Sequence, residues 1–198
     1  MEKRSTHDHP IHELLARRWS PLAFDPRPLP RTQLASLLEA ARWAPSCFNE
    51  QPWRFIVAPR DDADAFRAAL GCLAEGNQPW AKNASALLFT TAKQTFTRND
   101  RPNRYAAHDV GLAVENLVIQ AMADGLFVHQ MAGILHDRIR ETYGVPEDFE
   151  VLTGVAVGYP GEVDELPENL QKRQNGERSR HALGEIAFTG TWSAPFRP

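Results

Sequence analysis

The sequence predicts an α+β fold, and two features of its pattern carry the prediction. Helical and strand-like segments are interleaved along the 198 residues without the regular βαβ alternation of a doubly wound parallel sheet. One helical segment, residues 105–124, is apolar on almost every side, which is typical of a helix buried in a core or beneath a partner subunit. The length suits one domain and no linker is evident, so we expect a single domain over residues 1–198.

The N-terminal part of the chain contains two predicted helices separated by turns. The first covers residues 11–18, and the prolines in residues 20–30 then exclude a helix, because proline fixes φ and lacks an N–H. The second helix has Thr32 in the position of an N-cap and Pro45 as its end. Its apolar face consists of residues at helical spacing, namely Leu34, Leu37, Leu38 and Ala41.

The rest of the chain alternates strands and helices. Three short segments rich in apolar, aromatic and β-branched residues are predicted strands: 53–58, 86–92 and 151–157. Amphipathic helices are predicted over residues 61–73 and in a segment ending at Tyr143, while Gly125 ends the buried helix. Residues 126–131 are a short apolar stretch, and residues 186–188 are interpreted as an additional edge strand.

Charge and composition argue against several classes of function. The formal net charge of −3 is unlike the basic surface of a nucleic-acid-binding protein. No apolar run approaches the roughly 20 residues that cross a membrane, and the N-terminus lacks the apolar stretch of a secretory signal. Cys47 and Cys72 form neither a disulfide framework nor a metal-site spacing. We expect no nucleic-acid or membrane partner, and a cytoplasmic location.

The common catalytic motifs are missing from the sequence. It contains no nucleophile elbow, no phosphate-binding P-loop and no Gly-rich dinucleotide fingerprint, so a Rossmann-type nicotinamide site has no support. His7, His9 and His12 cluster near the N-terminus, and His129 and His136 have no Cys or carboxylate at ligand spacing. We therefore predict no metal site and no catalytic side chain.

Three polar segments are candidate binding elements: residues 17–21, 44–53 and 177–180. The second combines a hydroxyl, a thiol, amides and prolines, which suits a rigid polar rim around a heteroaromatic ligand. The arginines of the other two suit a phosphate. The residues alone leave plainer explanations open: a solvated helix end, a capped helix-to-strand turn and an exposed tail. Cys47 is favoured as a small core residue over a redox group.

Taken in order, these segments resemble the nitroreductase family of FMN-dependent enzymes over nearly the whole chain. The matching motifs are Arg17-Arg18-Trp19-Ser20, Ala41-Arg42-Trp43-Ala44-Pro45-Ser46 with Asn49, Gln51-Pro52-Trp53-Arg54-Phe55, Gly76-Asn77-Gln78-Pro79-Trp80, His108-Asp109-Val110-Gly111, Met131-Ala132-Gly133, Gly158-Tyr159-Pro160 and Arg178-Ser179-Arg180. The Ala-Pro-Ser…Asn…Gln-Pro-Trp block is the most specific of them.

The resemblance implies a nitroreductase-like fold with a central, mainly antiparallel sheet flanked by helices. It also implies an intertwined homodimer with two FMN sites at the subunit interface. The buried helix over residues 105–124 would then be covered by its counterpart. A C-terminal arm, about residues 162–198, would wrap over the partner subunit.

The same resemblance assigns cofactor-binding residues. In the family, residues matching 18–20 hold the flavin and its phosphate from one subunit, the basic pair at 178–180 binds the phosphate, and the loop at 45–49 approaches the ring from the other subunit. The turn at 131–133 presents a backbone N–H to flavin N5, and the residue matching Asn77 contacts the ring edge. The full expected set is Arg17, Arg18, Trp19, Ser20, Pro45, Ser46, Cys47, Asn49, Asn77, Met131, Ala132, Gly133, Arg178 and Arg180.

The implied activity is transfer of two-electron equivalents from NAD(P)H to a nitro compound, quinone or related small acceptor. The mechanism would be ping-pong, with donor and acceptor using the same place in turn while the flavin carries the chemistry. The alternative is a non-catalytic flavin-binding protein of the same fold, acting as a redox sensor or FMN buffer.

The sequence departs from the family pattern near the expected flavin. Leu22 and Trp80 stand where some relatives have a cation, and a nearby cation favours an anionic reduced flavin. We therefore expect the FMN to be harder to reduce than in those relatives, unless Arg17 or Lys82 compensates. Residues 93–104, which are polar and turn-like, are the expected lid over the substrate.

Overall fold

A five-stranded antiparallel sheet forms the centre of the computed structural model, which describes residues 3–198. The strands are β1 (Phe24–Asp25), β2 (Trp53–Pro59), β3 (Ala86–Lys93), β4 (Phe127–Met131) and β5 (Phe149–Pro160). Strand β5 pairs with β3 on one side and with β4 and then β1 on the other, while β2 pairs with the free side of β3. The predicted antiparallel α+β fold is confirmed.

Helices cover both faces of this sheet. They are α1 (Glu13–Arg17), α2 (Arg31–Arg42), α3 (Ala63–Gly71), α4 (Gln78–Ala81), α5 (Ala106–Ala123), α6 (His136–Tyr143), α7 (Glu168–Asn175) and α8 (Leu183–Ile186). Successive side chains of a strand point to opposite faces, so β3 supplies two apolar cores. Leu87 and Phe89 join the core under α3 and α6, whereas Ala86 and Leu88 join the core under α2 and α5.

Strand β1 lies close against the end of β5, and this contact fixes the chain that leads out of α1. Phe24 pairs with Pro160, and the Gly161 N–H donates a hydrogen bond to the Ala23 carbonyl. A Cβ on Gly161 would lie 2.4 Å from the backbone carbonyl carbon of Phe24, which no real contact allows. Glycine is therefore required here for residues 18–25 to reach the sheet.

Three local predictions differ from the structure. Helix α2 begins at Arg31 with Pro30 as its N-cap residue, so Thr32 lies in the first turn and caps nothing. The apolar stretch at residues 126–131 contains strand β4. The predicted edge strand at residues 186–188 is wrong: Ile186 ends α8, and Phe188 forms only an isolated bridge with Pro195.

Helix α5 has one face in the core and an outward stripe facing solvent. Val110, Val114 and Leu117 are almost completely buried against α2 and the sheet. On the other side Glu115 is exposed and Ile119 is half-buried, so this face of α5 contacts solvent with both polar and apolar side chains. A single chain therefore buries only one face of this helix, although the sequence is apolar on almost every side. A partner subunit covering the other face would account for the difference.

The C-terminal segment after β5 divides into two parts. Leu166 and Leu170 pack in the core of their own chain, and the buried Gln174 accepts a hydrogen bond from the Leu22 N–H at 2.7 Å. After α8 the chain mainly contacts itself, with Phe188 stacked on the 86% exposed Trp192 at 5.0 Å between ring centroids. That residues 162–198 wrap over a partner subunit stays a prediction. The aromatic side chains exposed in this segment, Trp192 and Phe196, lie beyond α8.

Candidate functional site

A cleft of about 420 Å³ lies between the end of α1, strand β4, helix α7 and the segment that follows α7. It brings together five of the residues predicted to bind a cofactor, which are Arg18, Trp19, Ser20, Arg178 and Arg180. Lys3, Leu22, His129, Arg173, Gln174, Gly176, Glu177 and Ser179 complete its lining. A second cleft of about 680 Å³ between residues 5–18 and 178–186 shares Arg18, Arg178 and Arg180 with the first, but not Arg173.

The arginines of the cleft lie close enough to repel one another. Burial lowers the pKa of Arg178, and the positive charges of Arg18 and Arg180 lower it further. The Arg178 guanidinium is nevertheless held in place, because its Nη1 donates to the Lys3 carbonyl at 2.6 Å and to the Ala16 carbonyl at 3.1 Å. Three guanidinium groups that disfavour one another and line one cleft form a site that an anion would stabilise.

Two buried polar side chains fix the backbone along the floor of the cleft. The His129 Nδ1 lies 2.8 Å from the Pro21 carbonyl, which can only accept, so Nδ1 carries the proton. Burial lowers the pKa of His129, although the hydrogen bond to Pro21 acts in the opposite direction. Gln174 holds the next residue through the Leu22 N–H. His129 is therefore neutral near pH 7 and positions residues 20–22.

The turn after β4 is built around Gly133 and Asn77. The Asn77 Nδ2 donates to the Gly133 carbonyl at 2.9 Å, and the Ala74 N–H donates to the same oxygen at 3.0 Å. A Cβ on Gly133 would lie 2.6 Å from that Asn77 nitrogen, so a larger residue would force the Asn77 side chain to move away from the Gly133 carbonyl. Within residues 3–198 the Gly133 N–H has no hydrogen-bond acceptor, which leaves a backbone donor for a ligand.

The loop between α2 and β2 has an unusual backbone. Phe48, Asn49 and Gln51 all have left-handed φ values, of 53°, 56° and 51°. Its shape is held by the Ser46 Oγ, which accepts from the Gln51 N–H at 3.0 Å, and by the buried carboxylate of Asp109, which accepts from the Cys47 N–H at 2.9 Å. Left-handed non-glycine residues cluster at functional sites, where the surrounding structure imposes them.

Comparisons with known proteins identify the family. A family model described as the nitroreductase family matches residues 15–159. The chain belongs to the nitroreductase family. A solved structure described as an oxidoreductase containing FMN is 38% identical, covers 98% of each chain and superposes with a TM-score of 0.91.

Two curated proteins are similar to this chain in sequence. An uncharacterised 15.4 kDa protein of Mycolicibacterium smegmatis is 38% identical over 72% of this chain and 99% of its own length. The major NAD(P)H-flavin oxidoreductase of Aliivibrio fischeri is 35% identical over 46% of this chain and 43% of its own length. The chain thus spans less than half of the A. fischeri relative.

In a single nitroreductase-family chain the predicted site residues form separate groups. The loop carrying Pro45, Ser46, Cys47 and Asn49 lines neither cleft, nor does the Asn77–Gly133 turn. Cys47 is only half-buried, so it is not the small core residue that the sequence favoured. Two other predicted residues are placed away from the cleft, since Arg17 turns towards Glu13 and the Met131 side chain is buried in a core.

Several residues that shape the cleft were not predicted from the sequence. His129 lies in the mostly apolar stretch that forms β4, and Gln174 lies among the polar residues of α7. His129 could have been recognised from the sequence, because an imidazole in a mostly apolar strand needs a hydrogen-bond partner. Nothing in the sequence distinguishes Lys3 and Arg173 from their neighbours, since both lie among other charged residues.

The two positions that depart from the family pattern are both buried. Leu22 is 2% exposed and Trp80 is completely buried, with 4.5 Å between its ring centroid and that of His129.

Within residues 3–198 every helix is too short or too polar to cross a membrane. The same residues contain no group of three or more His, Cys, Asp or Glu side chains placed to hold a metal ion.

Proposed function

We propose that this chain is an FMN-dependent oxidoreductase that transfers two-electron equivalents from NAD(P)H to a nitro compound, quinone or related small acceptor. The observation that carries the proposal is the cleft in which Arg18, Arg178 and Arg180 converge beside Trp19 and Ser20. Membership of the nitroreductase family and the FMN-containing relative support both the enzyme class and the cofactor.

The residues of the cleft suit the phosphate end of FMN. Burial and then repulsion by Arg18 and Arg180 lower the pKa of Arg178, and a phosphate dianion would relieve the repulsion. The Trp19 Nε1 is buried and, within residues 3–198, has no hydrogen-bond partner, so it is a donor that a bound cofactor would satisfy. The Ser20 side chain adds a hydroxyl to the same lining.

The ring end of the cofactor is proposed to lie between two subunits. The Pro45–Asn49 loop lines neither cleft of its own chain, so in a homodimer it would approach the flavin held by the partner. The open stripe of α5 that includes Ile119 supplies apolar surface for this assembly. A rigid, strained loop that exposes the Asn49 amide and half-exposes the Ser46 and Cys47 side chains is suited to contact a planar heteroaromatic ring.

The chain's own residues bind and orient rather than exchange protons. Bound FMN would supply the two-electron chemistry. The arginine cluster would fix the phosphate, while His129 and Gln174 would hold the backbone of residues 20–22 along the cleft. The Gly133 N–H is the backbone donor proposed to face the flavin, and Asn77 holds that turn in place. Donor and acceptor are proposed to use one place in turn, in a ping-pong sequence.

The visible spectrum of the purified protein, followed by anaerobic addition of NADH or NADPH and then an acceptor, tests this proposal. We expect a flavin spectrum that bleaches with a nicotinamide and returns when a nitroaromatic or quinone is added. A colourless protein that does not take up added FMN would refute the proposal. A flavin-bound protein without turnover would favour a redox sensor or FMN buffer.

A further inference from the structure

Residues 93–104 concentrate positive charge next to the strained loop. They contain Lys93, Arg98, Arg101 and Arg104 against a single acid, Asp100, in a chain whose formal net charge is −3. The segment folds back on itself, with a bridge between Thr95 and Pro102 and a hydrogen bond from the Phe96 N–H to the Arg101 carbonyl at 2.8 Å. It is thus an ordered hairpin with a cationic surface, which attracts anions.

The hairpin is joined to the strained loop by hydrogen bonds. The Glu50 Oε1 accepts from the Thr97 N–H at 2.8 Å and from the Thr97 hydroxyl at 2.5 Å. Burial alone would raise the pKa of Glu50, but these two bonds and nearby cations bring it below its ordinary value, so the carboxylate stays charged. The hairpin and the loop therefore present one continuous surface at physiological pH.

Two phenyl rings and a guanidinium form the exposed part of this surface. Phe48 is 71% exposed and meets the buried Phe96 edge to face, with 5.9 Å between ring centroids. The Arg98 guanidinium lies 4.1 Å from the Phe48 centroid and 5.6 Å from that of Phe96. Within residues 3–198 Arg98 donates no hydrogen bond and has no carboxylate within 4 Å, although its charge helps to lower the pKa of Glu50. The two rings therefore orient its planar group, and its donors face solvent.

We propose that the Phe48–Phe96–Arg98 cluster binds the anionic group of a small ligand entering the flavin site, with Arg98 as the residue that sets the preference for charged ligands. This inference rests on the proposed function, which brings the adjacent Cys47 and Asn49 to the flavin. The anion is a phosphate or carboxylate. It belongs either to the nicotinamide donor, as the 2′-phosphate of NADPH, or to the electron acceptor.

The test compares matched ligand pairs in flavin-loaded wild type and Arg98→Gln. The donor pair is NADPH and NADH, and the acceptor pair is 4-nitrobenzoate and the uncharged 4-nitrobenzyl alcohol. We expect Arg98→Gln to lower kcat/KM for NADPH, for 4-nitrobenzoate or for both by about tenfold or more, as for loss of a charge-assisted hydrogen bond. It should leave NADH and 4-nitrobenzyl alcohol, which lack the additional anionic group, nearly unchanged. The pair that loses its preference identifies the source of the anion.

Two controls separate this inference from a general effect. Arg67→Gln removes an exposed arginine of α3, paired with Asp64 at 2.8 Å, and should leave both preferences as in wild type. Calorimetric titration with 2′,5′-ADP and 5′-AMP gives a readout of the donor arm that does not require turnover. If Arg98→Gln changes kcat/KM equally for both members of each pair, the inference is overturned. The proposed function would still stand in that case, provided that the wild type shows the flavin spectrum. A wild type that does not bind flavin would overturn both.

Discussion

Arg178 and Arg180, two of the four arginines that line the cleft, differ in how firmly the fold holds them. Arg178 is half-buried and donates to the carbonyls of Lys3 and Ala16, so its removal would disturb the N-terminal segment as well as a ligand. Arg180 is exposed, and among residues 3–198 its guanidinium donates only to the adjacent Ser179 carbonyl, at 2.6 Å. Arg180 is therefore the residue whose substitution reports most directly on anion binding.

Arg180→Ala should weaken FMN binding without unfolding the protein. A charge-assisted hydrogen bond contributes about 1.5–3 kcal/mol, so the Kd should rise roughly ten- to a hundredfold. Fluorescence titration of FMN into the apoprotein measures it, and the exposed Arg67→Ala on α3 serves as the control. An unchanged Kd for Arg180→Ala would mean that the phosphate binds elsewhere.

Gly133→Ala should damage the turn that holds the proposed flavin contact. The new methyl group would lie 2.6 Å from the Asn77 Nδ2, which must then leave the Gly133 carbonyl. We expect FMN affinity to fall severalfold, consistent with the loss of about 1 kcal/mol for one hydrogen bond. Gly76→Ala is a matched control, because its Cβ meets nothing within 4 Å. Equal affinities of the two variants would remove this turn from the site.

His129 should make the folded protein less stable in acid. Its folded pKa is lowered, so the unfolded state takes up a proton first, and stability is lost as pH falls from about 6.5 towards the folded pKa. In His129→Gln the drop in free energy of unfolding between pH 7 and pH 5 should be smaller, as measured by urea unfolding. The exposed His9→Gln should keep the wild-type drop. A wild-type pH response in His129→Gln would contradict the assignment of a neutral imidazole.

At the level of elements, α5 connects the fold to the proposed assembly. Ile119→Arg places a charge on the outward stripe of this helix without entering the core. If the stripe is the subunit interface, the variant should elute as a monomer in size-exclusion chromatography with light scattering and lose FMN. Glu141→Arg, an exposed change on α6, should remain as wild type. A dimeric, flavin-bound Ile119→Arg would exclude this stripe from the interface.

Elements with a strong local pattern could be predicted from the sequence. The periodic leucines fixed the core face of α2, and the β-branched and aromatic runs located β2, β3 and β5. Strand β4 was missed because His129 and Gln130 break its apolar run, and its pairing with β5 is a long-range contact. The tail at residues 186–188 has the composition of a strand but no neighbouring sheet edge, so a short helix and a self-contained turn form there instead.

Across the whole molecule, the family motifs located the arginine cleft but could not specify how it is completed. The cleft joins residues near both ends of the chain, since Arg18 follows α1 and Arg178 follows α7. Their proximity depends on β1 lying against β5 and on α7 docking beside Leu22, which no local pattern encodes. Among the other predicted residues, those of the Pro45–Asn49 loop line neither cleft, and we propose that they reach a flavin held by a second chain.

Native mass spectrometry of the purified protein tests the central claim, that two chains build two flavin sites, most directly. It reports subunit number and bound cofactor on the same particle. We predict a homodimer carrying two FMN molecules, with flavin lost whenever the dimer dissociates. A monomer that retains FMN, or a dimer that binds none even when FMN is supplied, would contradict the account.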